Sequence, residues 1–227
     1  MNTESTSRQR PGKRTVALAG ATGLVGRSIL NGLLADASVQ AVHVLARRKP
    51  RVVHGRLTCH VVDFASLPQL PPVDEVYLAL GTTIKVAGSQ AAFRAVDFAA
   101  NLAVARAALA RGARQCGLVS AMGANAKSKV FYNRVKGELE DALAQLAFEG
   151  LVIARPSLLV GDREALGQPK RPLETVSMVA SKILGPLIPA DYRPISAAAV
   201  AQALLARTPA AKGRIVMLSG ELQRLGR

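Results

Sequence analysis

A glycine-rich turn between an apolar run and a helix-forming run constrains this chain more than any other feature. Residues 15–30 read TVALAGATGLVGRSIL, where an apolar strand at 16–19 leads into Gly20, Gly23 and Gly26. Glycine lets the backbone turn tightly and approach a ligand without a Cβ in the way. The helix that follows would direct its free N–H groups and positive dipole end at an anion. A pyrophosphate suits this turn, so the stretch predicts a dinucleotide site; the alternative is a βα turn whose glycines serve packing alone.

Length and composition predict one α/β domain. A chain of 227 residues with 49% apolar residues can bury a sizeable core. No apolar run is long enough to span a bilayer, and residues 1–14 are too polar for a secretory signal. We expect residues 1–14 to form a disordered basic tail. Cys59 and Cys116 are too few for a disulfide framework, which favours reduced, buried thiols in a cytoplasmic protein.

The charge balance favours anionic partners. Thirty basic and 15 acidic residues leave a net charge of +15, and such a field attracts phosphorylated cofactors, nucleic acids or acidic surfaces. The basic residues are scattered, however, and aromatic residues make up only 4% of the chain. Single-strand binders interleave basic residues with stacking aromatics, so we do not expect nucleic acid to be the main partner.

Alternation of apolar strands and helices predicts a doubly wound, Rossmann-like parallel sheet of about seven strands. The expected strands cover 16–19, 39–46, 57–62, 75–80, 116–119, 151–157 and 214–218. The expected helices cover 24–35, 89–111, 130–148, 173–184 and 197–206. We place the nucleotide-binding domain at 15–220, with a small substrate segment at about 157–213. The alanine-rich helix 89–111 would suit a helix–helix homodimer.

The end of the second predicted strand indicates which dinucleotide is preferred. An acidic residue near this position usually binds the ribose 2′-hydroxyl of NAD, yet residues 42–56 contain no Asp or Glu. Arg47 and Arg48 follow the strand instead, and guanidinium groups form bidentate, charge-assisted bonds with phosphate oxygens. The sequence therefore favours NADP over NAD; a solvated basic turn is the alternative.

Two further strand ends converge on the same edge of the predicted sheet. Asp63 follows the third strand, where it could contact the adenine amine or cap the turn at Ser66. The fourth strand opens onto Gly81-Thr82-Thr83, whose backbone and hydroxyl groups could line a cofactor. His43, His54 and His60 show no metal-ligand spacing with Cys or Asp, so we expect no metal site.

A tyrosine and a lysine supply candidate chemistry. Tyr132 and Lys136 are four residues apart on a predicted helix, so they share one face. A neighbouring ammonium stabilises a tyrosine phenolate and brings the phenol into use as a general acid or base. Ser120 ends the adjacent strand, where it could donate a hydrogen bond to a substrate carbonyl. The alternatives are a surface lysine paired with Glu140 and a half-buried helical tyrosine.

The order of these motifs resembles the short-chain dehydrogenase/reductase superfamily over residues 15–220. The resemblance is carried by GATGLVG (20–26), LARR (45–48), LGTT (80–83), LVSAMGA (118–124), FYNRVKGELE (131–140) and ARPSLLVGDRE (154–164). It looks closest to the atypical, extended-like branch that includes the Tat-interacting-protein oxidoreductases. Asp97 departs from that pattern, because many relatives carry Asn on the helix after the fourth strand.

The resemblance implies a set of site residues. It places Ser120, Tyr132 and Lys136 at the catalytic positions and Pro156 on the nicotinamide side. The other implied cofactor contacts are Gly20, Thr22, Gly23, Leu24, Val25, Gly26, Arg47, Arg48, Asp63, Leu80, Gly81 and Thr82, with Tyr132 and Lys136 again.

Two functions remain open from the sequence. The first is an NADP-dependent oxidoreductase acting on a small carbonyl or alcohol substrate. The second is a non-catalytic, NADPH-binding regulatory or scaffold protein, because several members of the branch bind cofactor without demonstrated chemistry. In the substrate segment, the loop 161–171 mixes Arg163, Lys170 and Arg171 with two acids. It could contact an anionic group or be a mobile basic loop.

Overall fold

The computed structural model describes residues 13–49, 52–160 and 189–226. Most of the predicted basic tail, the loop 161–171 and the helix predicted at 173–184 lie outside these ranges. The strands are β1 (Arg14–Ala19), β2 (Val39–Ala46), β3 (Leu57–Val61), β4 (Glu75–Leu78), β5 (Gln115–Val119), β6 (Gly150–Arg155), β7 (Leu159–Val160), β8 (Ile195–Ser196) and β9 (Gly213–Leu218).

The helices cover the two faces of the sheet. They are α1 (Leu24–Ala35), α2 (Ile84–Ala87), α3 (Gln90–Arg94), α4 (Asn101–Leu109), α5 (Phe131–Ala144), α6 (Ala197–Arg207) and α7 (Ser219–Leu225). A π-helical segment, Ala95–Ala100, joins α3 to α4. Within the described residues, no helix is long and apolar enough to cross a membrane.

Seven strands form one parallel sheet in the order β3-β2-β1-β4-β5-β6-β9. This confirms the predicted doubly wound α/β fold. Short strands β7 and β8 form a separate parallel pair. The order places β1 beside β4 at the centre, where the chain reverses its direction across the sheet; ligands of such sheets bind at this point, outside the carboxyl ends of the strands.

The apolar residues divide into two cores, one on each face of the sheet. Apolar side chains of α1 and α6 pack on one face, and those of α4 and α5 pack on the other. Both faces of β1 are covered because residues 16–19 are apolar without interruption, as expected for a central parallel strand.

A charged cluster fixes the amino end of β1, opposite the candidate site. The Arg14 guanidinium donates to Glu75 Oε1 at 2.6 Å and also pairs with Asp36. Burial would lower the pKa of Arg14, but the bonds to Glu75 and Asp36 together outweigh burial and raise that pKa. The cluster joins β1, α1 and β4 at the end of the sheet away from the glycine turn.

Candidate functional site

The glycine turn contains two glycines that the fold itself requires. Gly20 has φ 92°, and a Cβ there would lie 2.3 Å from the Ala79 carbonyl carbon. A Cβ on Gly26 would lie 2.0 Å from the Gly20 oxygen. Because both residues lack a side chain, the turn can lie against the end of β4, and the first turn of α1 can lie against the end of β1.

Gly23 differs from both. A Cβ there would meet nothing nearer than the Gly20 oxygen at 3.4 Å, and its φ of −80° suits any residue. A Cβ there would make only a close van der Waals contact, so packing does not require a glycine at this position. Gly23 is the N-cap of α1, where no side chain accepts from the helix and the first turn has no acid. The free N–H groups and the helix dipole thus suit a phosphate.

The residues beside the turn differ in what they could offer. Thr22 is exposed, Leu24 is half-buried and Val25 is buried in the core. Val25 can therefore contact a ligand at this edge only through its backbone.

The basic residues after β2 are available to an anion. Arg47 and Arg48 are exposed, and neither pairs with an acid among the described residues. Because β2 lies beside β1 in a parallel sheet, both arginines are at the same edge as the glycine turn. After β3, the Asp63 carboxylate accepts from the Ala65 N–H at 2.9 Å. This bond corresponds to the turn-capping alternative for Asp63; contact with adenine stays a prediction.

Leu80, Gly81 and Thr82 extend the end of β4 over the centre of the site. The Asn101 amide donates to the Leu80 oxygen at 3.1 Å, and the Thr82 N–H donates to Asp97 Oδ2 at 2.8 Å. A Cβ on Gly81 would lie 3.6 Å from Asp97 Oδ1 and 4.0 Å from Lys136 Nζ. Gly81 therefore lies directly beside a buried charged pair, with no side chain of its own between that pair and the loop.

That pair joins the π-helical segment to α5. Lys136 Nζ lies 2.8 Å from Asp97 Oδ1, and the two side chains are only 5% and 1% exposed. Burial by itself would lower the pKa of Lys136, but the attraction and hydrogen bond of the Asp97 carboxylate, together with Tyr132 and Glu140, outweigh burial and raise it. Lys136 is thus a buried ammonium, not the surface partner of Glu140 that the sequence left open.

Tyr132 lies one turn before Lys136 on the same helix. Its ring is half-buried and packs on Phe93 with centroids 5.5 Å apart. Among the described residues, none forms a hydrogen bond with the Tyr132 hydroxyl. The hydroxyl is therefore available to a substrate, while the Phe93 contact limits the motion of the ring.

Ser120 forms a hydrogen bond with Glu140, which is not among the site residues predicted from the sequence. Its hydroxyl donates to Glu140 Oε1 at 2.5 Å, and Glu140 is completely buried. Arg155 donates to both oxygens of Glu140, and Arg214 adds a contact at 3.2 Å. The Glu140 oxygens accept from both guanidiniums and from Ser120, so the single hydroxyl hydrogen of Ser120 is committed to Glu140.

Pro156 follows β6 and is buried. Its carbonyl oxygen accepts from the Met122 N–H at 2.9 Å, which ties the loop after β5 to the end of β6. The backbone contact to a nicotinamide implied for Pro156 stays a prediction.

The structure thus brings the glycine turn, the 80–82 loop and Lys136 to one place. Gly20 contacts Ala79 and Leu80, and Gly81 lies beside Lys136. From the sequence, Asp97 stands out only as a departure from the pattern of the resembling family, and Glu140 is not among the predicted site residues. The four-residue spacing of Tyr132, Lys136 and Glu140 was a signal for Glu140, because it places all three on one helix face. Asp97 had no comparable signal, because its ion pair depends on the packing of two helices.

Comparison with known proteins supports a family assignment. No family model matches the chain. The chain is 37% identical over 180 residues to the mitochondrial protein fmp52 of Emericella nidulans, covering 75% of this chain and 76% of that protein. It is 34% identical over 221 residues to the mitochondrial protein fmp52 of Aspergillus clavatus, covering 90% and 94%. The mitochondrial names of these relatives overturn the cytoplasmic location expected from the sequence.

Solved structures share the fold at low sequence identity. MoeE5 in complex with UDP-glucuronic acid and NAD matches with a TM-score of 0.66 and 19% identity, covering 91% of this chain and 76% of that one. ADP-L-glycero-D-manno-heptose-6-epimerase of Helicobacter pylori matches with a TM-score of 0.66 and 14% identity, covering 93% and 78%. At this identity the likeness supports the Rossmann-like fold.

Proposed function

This chain belongs to the FMP52 protein family, and we propose that it is an NADP-dependent oxidoreductase acting on a small carbonyl or alcohol substrate. One observation carries the proposal: the Lys136 ammonium, one helical turn from Tyr132 on α5, lies beside Gly81, at the edge of the sheet that bears the glycine turn. We also propose that the chain is related to the atypical branch that includes the Tat-interacting-protein oxidoreductases.

The described residues fit a dinucleotide. Gly23 leaves space before the uncapped N-terminus of α1 for a pyrophosphate. Arg47 and Arg48 would bind a ribose 2′-phosphate at the end of β2. Gly81 leaves space beside Lys136 for the second ribose. The structural neighbour MoeE5 binds NAD, which is consistent with a nicotinamide cofactor here; the absence of an acid after β2 supports NADP.

Tyr132 and Lys136 would perform the proton chemistry. A bound nicotinamide supplies or accepts a hydride. In the reductive direction the Tyr132 hydroxyl gives its proton to the carbonyl oxygen, and the Lys136 ammonium stabilises the phenolate that remains. Lys136 also donates to a ribose hydroxyl.

Ser120 is the third proposed catalytic residue, and its hydrogen bond to Glu140 limits what it can do. To donate to a substrate carbonyl, the hydroxyl must leave the Glu140 carboxylate, and a bond to a charged group is worth about 1.5–3 kcal/mol. While that bond persists, Ser120 can only accept, for example from an alcohol substrate. We therefore expect Ser120→Ala to reduce carbonyl turnover less than Tyr132→Phe.

Cofactor titration tests the binding part of the proposal. NADPH should bind more tightly than NADH, and Arg47→Ala should weaken NADPH by about tenfold, the loss expected for one charge-assisted bond, while NADH changes little. Binding can be followed by nicotinamide fluorescence, because the chain has no Trp. Lys212→Ala, which removes another exposed cation, is the matched control. Equal affinities for NADPH and NADH in the wild type would refute the preference for NADP.

A non-catalytic NADPH-binding regulatory or scaffold protein is the second candidate, favoured by the commitment of Ser120 to Glu140. Turnover of a panel of aldehydes and ketones with NADPH separates the two functions. The enzyme proposal predicts activity that Tyr132→Phe abolishes. Tight NADPH binding with no turnover would favour the second candidate. The homodimer stays a prediction that light scattering would check.

A further inference from the structure

Asp97 uses its two carboxylate oxygens in different directions. Oδ1 lies 2.8 Å from the Lys136 ammonium on α5, and Oδ2 accepts from the Thr82 N–H at 2.8 Å on the loop after β4. Asn101, one turn further along the helix, donates to the Leu80 oxygen of the same loop. Asp97 therefore links the proposed catalytic helix to the loop that borders the crevice.

The π-helical segment sets this position. It widens the helix between Ala95 and Ala100, and Asp97 lies inside it. Such segments inside helices occur frequently at functional sites. The carboxylate is completely buried, so it would be costly without partners for its charge.

Few other charges act on Lys136. On its own helix, Tyr132 and Glu140 influence the ammonium electrostatically. Glu140 is already bound to Arg155, Arg214 and Ser120. Among the described residues outside α5, the carboxylate in direct contact with Lys136 is that of Asp97.

We infer that Asp97 is a positioning residue for Lys136: it fixes the ammonium as a charged donor beside Gly81 and joins it to the loop at 80–82. A neutral amine or a displaced side chain would not present the same donors to a ribose hydroxyl. The inference rests on the proposed function only where it assigns Lys136 to a cofactor, since the ion pair itself requires no ligand.

The first test measures the ionisation of Lys136 without any ligand. Lysine labelled with carbon-13 at the ε position is incorporated, and Lys136→Arg assigns the Lys136 signal in NMR spectra. In the wild type, Lys136 should lose its proton at higher pH than the exposed lysines. In Asp97→Asn it should do so at lower pH than in the wild type, because burial then acts without the opposing carboxylate.

The control removes a different carboxylate from the neighbourhood. Asp141 is also on α5, but its side chain is 61% exposed and it lies 3.9 Å from Arg214. Asp141→Asn should leave the Lys136 titration unchanged. If Asp97→Asn does not fold, the titration of the wild type still tests the inference. A Lys136 that loses its proton at lower pH than the exposed lysines would overturn it. Asp97→Glu, which keeps the charge, should retain most of the wild-type behaviour.

The second test uses NADPH as the probe. In the wild type, NADPH affinity should change little from neutral to mildly alkaline pH. In Asp97→Asn it should fall by about tenfold over that range, as Lys136 loses its proton and a charge-assisted bond. A purely structural defect would weaken binding equally at each pH, and that result would overturn the inference. Absence of NADPH binding in the wild type would refute the proposed function, while the lysine titration still decides the role of Asp97.

Discussion

At the scale of single residues, the three glycines of the turn differ in their structural roles. Gly26 is needed because a side chain would collide with the Gly20 oxygen, whereas a Cβ on Gly23 would only touch that oxygen at 3.4 Å. The sequence pattern treats both alike, because spacing shows where glycines recur and not which atoms surround them.

This difference gives a matched pair of variants. Gly23→Ala should keep its stability and weaken NADPH binding by about tenfold, because the new methyl group occupies space available to a phosphate. Gly26→Ala should lower the free energy of unfolding by about 1–3 kcal/mol, as overpacking does. Urea denaturation and NADPH fluorescence measure the two effects. Unchanged NADPH affinity in Gly23→Ala would contradict the placement of the pyrophosphate.

Glu140 holds Ser120, Arg155 and Arg214 together, so its removal leaves those groups without their carboxylate. Breaking a fully buried ion pair costs about 3–5 kcal/mol. The Arg155 side chain is 25% exposed, so we expect Glu140→Ala to cost about 2–3 kcal/mol of unfolding free energy. Glu149→Ala removes an exposed acid near Arg114 and should change stability by less than about 0.5 kcal/mol. Equal effects in urea denaturation would show that the Glu140 cluster contributes no more than a surface pair.

The direction of Ser120 could not be predicted from the sequence. Tyr132 and Lys136 were found because they share a helix, and helical spacing determines their common face. The hydrogen bond of Ser120 depends on Glu140, which lies twenty residues away on another element and is itself bound by two arginines.

At the scale of helices and strands, apolar runs predicted the seven strands of the large sheet well. The short elements were missed: α2, the pair β7–β8 and α7 have too few residues to establish a pattern. The helix predicted continuously at 89–111 is interrupted, with the Ser89 hydroxyl capping α3 and the π-helical segment following it. Alanine-rich composition supports a helix but cannot specify its hydrogen-bond register, and here that register places Asp97 against Lys136.

At the scale of the whole molecule, stability should be greatest at intermediate pH. Burial would raise the pKa of Asp36, but hydrogen bonds from Ser38 and Arg14 outweigh it and hold the pKa below its ordinary value of 3.8. The unfolded chain therefore takes up this proton first, and stability falls as the pH drops through that range.

Burial raises the pKa of the Cys116 thiol. The unfolded chain then loses that proton first, and stability also falls as the pH rises above the ordinary thiol value of 9.0.

Urea denaturation followed by circular dichroism at a series of pH values measures both slopes. Cys116→Val removes the buried thiol and should make the alkaline decline shallower. Cys59→Val, at a half-buried thiol, is the control and should have a smaller effect. An alkaline slope unchanged in Cys116→Val would contradict the assignment.

The short strands β7 and β8 connect parts of the chain that are far apart in the sequence. Leu159 pairs with Ile195 and Val160 with Ser196, so the chain that leaves β6 is fastened to the chain that returns toward α6. The Ser157 N–H also donates to Ser219, which anchors the same point to the start of α7. These contacts tie the exit of β6, the entry to α6 and the start of α7 together, so a substitution that breaks the β7–β8 pairing should disturb all three.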